Sequence, residues 1–156
     1  MRVAVGSDER TGVTDALVAE LEARGHEPVL IGPLAAEPAG PAMEWAAVGR
    51  AVGRLVASGD CATGVVCCWT GTGVSIAANK VGGVRAALCV DAEIAAGARR
   101  WNDANVLALG LARLTGDGVP AMLDAWFSTP PDPGEATNVA RLDPEVGPPT
   151  DREEAG

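Results

Sequence analysis

Five short runs of β-branched or small apolar residues, each followed by a longer stretch of helical spacing, leave this chain few folds to adopt. The runs are residues 2–7, 28–31, 63–68, 84–90 and 105–109. Helical patterns cover 14–24, with Val18 and Leu21 inward and Gly25 as the stop, then 45–58 through Val48, Val52 and Leu55. Others cover 75–80, 92–101 with arginines in the last turn, and 119–127. Strands alternating with helices predict βα units around a five-stranded parallel sheet, an α/β fold. The continuous apolarity of 84–90 predicts a strand buried on both faces.

Residues 1–128 read as one domain. The proline-rich stretch that follows cannot form a compact unit alone, so 129–142 reads as an arm and 143–156 as a disordered acidic tail. A net charge of −9 and the lack of a basic stripe argue against nucleic acid, and an anionic substrate would need local cations. No run is long and apolar enough to span a membrane, and the start turns polar too early for a signal peptide, so a cytoplasmic location is expected. Cys61, Cys67, Cys68 and Cys89 show no framework spacing, which suits reduced thiols, and with His26 the only histidine no metal site is expected.

Ligands of open parallel sheets sit beyond the carboxyl ends of the strands. Asp8, Cys68 and Asp91 fall at such ends. Cys68 precedes a glycine-rich turn and a helix start, whose N–H groups favour a thiolate able to act as nucleophile or base. Gly71 and Gly73 let the same loop turn tightly and hold an oxyanion. A thiol beside an anion pocket suits proton abstraction next to a carbonyl. Two plainer readings compete. Cys67 and Cys68 could be ordinary small strand residues, and since successive strand residues face opposite sides, at most one thiol faces a pocket. A dinucleotide fingerprint with Asp91 as the ribose contact lacks its third glycine, a place held by Ile76.

The block Cys68-Trp69-Thr70-Gly71-Thr72-Gly73-Val74-Ser75-Ile76-Ala77-Ala78-Asn79-Lys80, with Gly83-Val84-Arg85-Ala86-Ala87 and Asn102-Asp103-Ala104-Asn105-Val106-Leu107-Ala108, resembles type B ribose-5-phosphate isomerases and the related galactose-6-phosphate isomerases. Val5-Gly6-Ser7-Asp8 and Asp124-Ala125-Trp126 extend the resemblance to about Leu142. It implies a Rossmann-like three-layer α/β/α sandwich and no cofactor. It also implies a homodimer with sites shared across the interface, pairing into tetramers being left open.

The implied reaction is aldose–ketose isomerisation of a sugar or sugar phosphate through an enediolate. The resemblance makes Cys68 the base and Thr70 its polar neighbour, with Trp69, Gly71, Thr72, Gly73 and Ser75 forming the anion hole. Asp8, Glu9, Trp45, Trp101, Asn102 and Arg141 fall at substrate-contacting places, Asn102 being supplied by the second subunit and the arm lying against it. For Asp8 and Asn102 the plainer reading is capping or turn hydrogen bonding.

The departures are equally specific. Glu9 replaces the family's histidine after Asp8, Trp101 replaces its ring-opening histidine, and Thr137 replaces the first of two phosphate-gripping arginines, leaving Arg141. His26 reads as a solvated loop residue, and Arg99 and Arg100 as a solvated helical face. The expected function is an isomerase with an altered substrate end, the alternative being a catalytically inactive homologue that binds a sugar or phosphate.

Overall fold

The computed structural model describes residues 1–36 and 40–142. Its core is one parallel sheet ordered β2-β1-β3-β5-β4, from β1 (Arg2–Ser7), β2 (Glu27–Ile31), β3 (Thr63–Cys68), β4 (Ala86–Leu88) and β5 (Val106–Gly110). The helices are α1 (Gly12–Ala23), α2 (Trp45–Ala57), α3 (Thr72–Asn79), α4 (Ala92–Asn102), α5 (Val119–Ser128) and α6 (Ala136–Ala140).

Two apolar clusters divide the helices between the sheet faces. Leu17 and Leu21 of α1, Ala95 and Ala98 of α4, and Met122, Leu123 and Trp126 of α5 pack with Val3, Val5, Val65, Leu107 and Leu109. Val52 of α2 and Val74 and Ala78 of α3 pack with Ala4, Val66, Val106 and Ala108. The three-layer α/β/α expectation therefore holds. Trp126 anchors the first layer, fully buried, with its indole N–H donating to Thr63 Oγ1 at 3.1 Å.

Several local expectations need correction. The fourth strand is not buried on both faces: β4 is three half-buried residues at the sheet edge. The Asn79 side chain caps the start of that edge by donating to the Ala86 carbonyl and accepting from its N–H, both at 2.8 Å. Helix α1 begins at Gly12 because Thr11 and Thr14 cap each other reciprocally, and its inward face adds fully buried Leu17 to Leu21 and the half-buried Val18.

His26 is not a solvated loop residue. Its ring packs on Phe127 at 4.4 Å, and burial lowers its pKa. Arg99 is not on a solvated face either, since it bonds Asp103 and the Ala104 carbonyl and lies over the Trp126 ring. Within 129–142 the Asp132 N–H donates to the Arg100 carbonyl, and the following Pro133–Glu135 and α6 are largely exposed. The expected tail, 143–156, lies outside the described residues.

Candidate active site

Strand order reverses between β1 and β3, so the crevice at their carboxyl ends is where a doubly wound sheet binds ligands. Cys68 ends β3, and Asp8 follows β1. Ser7 and Cys67 are the last pair of the β1–β3 ladder, so Asp8 leaves β1 at the level where Cys68 ends β3. Asp91 takes no part: its Oδ1 caps α4 by accepting from the Ile94 N–H, which removes the dinucleotide reading.

Strand alternation separates the two thiols. Cys67 packs into the α1/α4/α5 layer, 1% exposed, and burial pushes its pKa up to about 12. Cys68 packs toward α2 and α3, where the loop to α3 begins. That loop turns at Gly71, whose φ of 76° is left-handed. Helix α3 thus starts at Thr72, three residues earlier than the spacing predicts, and no side chain caps it. Its first-turn N–H groups are therefore open donors beside the Cys68 strand end. Ser75 is already inside the helix, its N–H bonded to the Gly71 carbonyl, which leaves only its side chain free to meet an anion. The Thr70 and Thr72 hydroxyls bond each other at 2.7 Å.

Trp45, at the first turn of α2, lies so close over Gly73 that an added Cβ would stand 2.9 Å from its ring. Trp69 is exposed at the loop tip. With Thr70, Gly110 and Arg113 it lines a cavity of about 180 Å³ beyond the ends of β4 and β5. Backbone bonds from the Leu111 and Ala112 N–H groups to the Cys68 and Trp69 carbonyls tie the two segments together.

Among the described residues, Asp8 is the one carboxylate with a buried, unpartnered atom. Its Oδ1 is buried with no hydrogen-bond partner, and burial, then the Glu9 charge, hold its pKa above the ordinary value. It caps no helix. A carboxyl easier to protonate folded than unfolded stabilises the fold at low pH, a contribution lost as pH rises through its folded pKa. Asp8→Asn is therefore expected to raise the melting temperature at pH 7 and leave it unchanged at pH 3; a lower value at pH 7 would contradict this. Glu9 is exposed on the same loop, its N–H donating to Ser7 Oγ.

The remaining expected site residues are elsewhere. Trp101 and Asn102 end α4, before β5 begins, whereas Cys68 pairs with Gly110 at the end of β5. Four residues of strand, about 13 Å, separate the two levels. Arg141 follows α6, and the next residue, Leu142, lines a cavity with Asn102 and Arg85. One chain thus holds Asp8, Cys68, the loop and Trp45 at one end, and Trp101, Asn102 and Arg141 at the other.

A family model described as Ribose/Galactose Isomerase matches residues 3–143. The chain belongs to the ribose/galactose isomerase family. It is 44% identical over 77 residues to ribose-5-phosphate isomerase B of Escherichia coli, covering 49% of this chain and 51% of that one. It is 35% identical over 111 residues to 4-deoxy-4-sulfo-D-erythrose isomerase of Clostridium sp. strain MSTE9, covering 70% and 68%. A solved ribose-5-phosphate isomerase B of Clostridium thermocellum superposes with TM-score 0.81 at 34% identity, over 91% of this chain and 95% of that one. For the first four curated relatives the match spans 40% to 52% of their own length.

In this ribose/galactose isomerase homologue two site features escaped the sequence reading. Arg113 has no ion-pair partner among the described residues, and the signal was a cation three residues past a strand end. Asp103 adopts φ 43°, rare for a non-glycine, and is held there by Arg85 and Arg99 at 3.1 and 3.2 Å. That lock fixes the end of α4, and with it Asn102. Asn105 adds to it by accepting from the Arg85 N–H and donating to the Gly83 carbonyl.

Proposed function

We propose that this chain is an aldose–ketose isomerase acting on a sugar with a terminal phosphate, and that Cys68 is its base. The observation that carries this is a thiol at the strand-order reversal, facing a loop whose helix N–H groups have no cap. A base beside preorganised donors is what an enediolate requires. Cys68 takes the proton from C2 of the open aldose while the donors of Trp69 to Ser75, with the Thr70 and Thr72 hydroxyls, stabilise charge on the sugar oxygens. Returning the proton to C1 gives the ketose. Asp8, beside Cys68, relays the hydroxyl proton between O1 and O2. No organic cofactor or metal has a role in this scheme. Arg113, lining the cavity beside Trp69, is the cation that would meet the anionic end.

The catalytic unit in this reading is a homodimer. Asn102, Trp101 and Arg141 cannot reach Cys68 of their own chain, but a two-fold partner can present all three together. Exposed Trp69, Ile76, Val90 and Ile94 supply apolar surface around the loop and α4 for such a contact.

Mixing inactive chains tests both parts. Cys68→Ala and Asn102→Ala chains, each assayed alone on sugar phosphates in heavy water, are expected to show little C2 deuteration. Dissociated and reassembled together they should regain about a quarter of wild-type activity, because mixed dimers keep one intact site. A mixture as inactive as its parents would refute the shared site.

A further inference from the structure

The open N–H donors of the site belong to the first turn of α3, and among the described residues no side chain caps that turn. The start of α2 is in the same state, since Glu44 makes no capping bond there. A helix end without a cap frays unless packing holds it. Here the packing partner of each end is the other.

Trp45, Gly49 and Gly53 stand four residues apart, on one stripe of α2. A Cβ on Gly49 would lie 2.8 Å from both the Ala77 Cβ and the Val74 carbonyl oxygen, and one on Gly53 would lie 3.1 Å from Val81 Cγ2. Two rungs thus bring the helix surfaces into direct contact, and they fix how close α3 runs to α2. The third rung, nearest the strand ends, pairs Trp45 with Gly73. It differs from the others in carrying a large side chain. A Cβ on Gly73 would stand 2.9, 3.0 and 3.3 Å from Cε3, Cδ2 and Cζ3 of the indole. All three atoms belong to the benzene half of the ring, so that half covers the second residue of α3.

We infer that Trp45 is a positioning residue, which holds the first turn of α3 at the angle from which its N–H groups serve the strand end of Cys68. The inference rests on the isomerase reading above and deepens it. Support of the anion-binding turn, rather than contact with the sugar, becomes the work of this side chain. The consequence is kinetic. Charge grows on the sugar oxygens only as the enediolate forms, so a tilted turn weakens the transition state more than the bound sugar. Loss of the ring therefore falls on kcat and spares KM.

Full-length Trp45→Ala, Trp45→Phe, Gly73→Ala and the Trp45→Ala/Gly73→Ala double variant test this, each assayed well below its own melting temperature. C2 deuteration of ribose 5-phosphate and of galactose 6-phosphate gives kcat and KM. Mass spectrometry gives amide exchange over residues 72–78. Trp45→Ala is expected to lose about tenfold or more in kcat, with KM held within about twofold, because a small misplacement of preorganised groups is costly. Its α3 amides should exchange faster. Trp45→Phe should recover most of both, since its ring can occupy the places of Cδ2 and Cε3. Gly73→Ala, whose methyl drives the indole off, should lose a similar factor. The double variant should be no worse than the poorer single one, because both changes break one contact. A raised KM with kcat intact would make Trp45 a wall of the sugar site and overturn the inference. So would losses that multiply in the double variant, or a lowered melting temperature with kcat and α3 exchange unchanged. A wild-type chain that deuterates neither sugar counts against the isomerase reading; amide exchange then decides the clamp by itself, and exchange unaltered in Trp45→Ala refutes it.

Discussion

Cys68→Ala is expected to lower C2 proton exchange by on the order of a hundredfold or more, the contribution of a positioned general base, while Cys67→Ala leaves it within a few-fold. The two thiols are adjacent in sequence, so composition and exposure of the segment cannot tell them apart. The pleat can. Cys67 faces the layer containing Leu17, Leu123 and Trp126, and its pKa of about 12 keeps it a neutral thiol at any pH of interest. Cys68 faces the layer of α3, whose uncapped start closes the same loop. Alkylation with iodoacetamide followed by mass spectrometry should mark Cys68 before Cys67, and bound sugar phosphate should protect it. Faster exchange loss from Cys67→Ala would mean that the strand presents its other face to the substrate. Melting curves of both variants separate this from instability, since trimming either thiol to alanine removes one atom from a packed core.

Five βα units, the parallel sheet and the Cys68 loop were legible from residues alone because each is written locally. Short apolar runs, helical spacing and a glycine-rich turn carry their own instructions. What failed was decided by distant contacts. Residues 84–90 look as apolar as a central strand, yet the chain's order of crossing puts β4 at the edge, with Asn79 rather than a sixth strand beside it. Arg99 looked solvated until Asp103, four residues on, and Trp126 from α5 enclosed it. Likewise His26 acquired its partner, Phe127, from the far end of the chain. The site was half legible. Asp8, Cys68 and the loop are placed by strand ends, whereas Trp101, Asn102 and Arg141 were placed by resemblance, and the fold puts them about 13 Å or more from the thiol. The local signal for Arg113, a cation three residues past a strand end, does not by itself place it at the cavity, which depends on where β5 ends against the Thr70 loop.

Gly71→Ala is expected to cost about 3 kcal/mol or more of stability and most of the activity. Two separate penalties meet at this residue. Its φ of 76° costs an L-residue about 1–2 kcal/mol by itself. Its new Cβ would also stand 2.5 Å from Leu88 Cδ1 and 2.8 Å from both the Gly110 nitrogen and the Leu109 carbonyl carbon. Leu88 can swing away, but the β5 backbone cannot, since it is bonded to β3 and β4 on either side. The loop must therefore move, and moving it turns the first N–H groups of α3 away from the Cys68 strand end. Gly59→Ala is the matched control. Gly59 has φ 81° and open space where its Cβ would go, so it bears the backbone strain without the clash and lies outside the site. At about 2–4 °C per kcal/mol for a chain of this size, Gly71→Ala should melt some 6 °C or more below wild type and Gly59→Ala only a few degrees below it. Turnover should survive in Gly59→Ala and collapse in Gly71→Ala well below its own melting temperature. If Gly71→Ala keeps wild-type turnover while folded, the anion hole is not built from this loop, and the assignment of Cys68 as the base loses its electrostatic support.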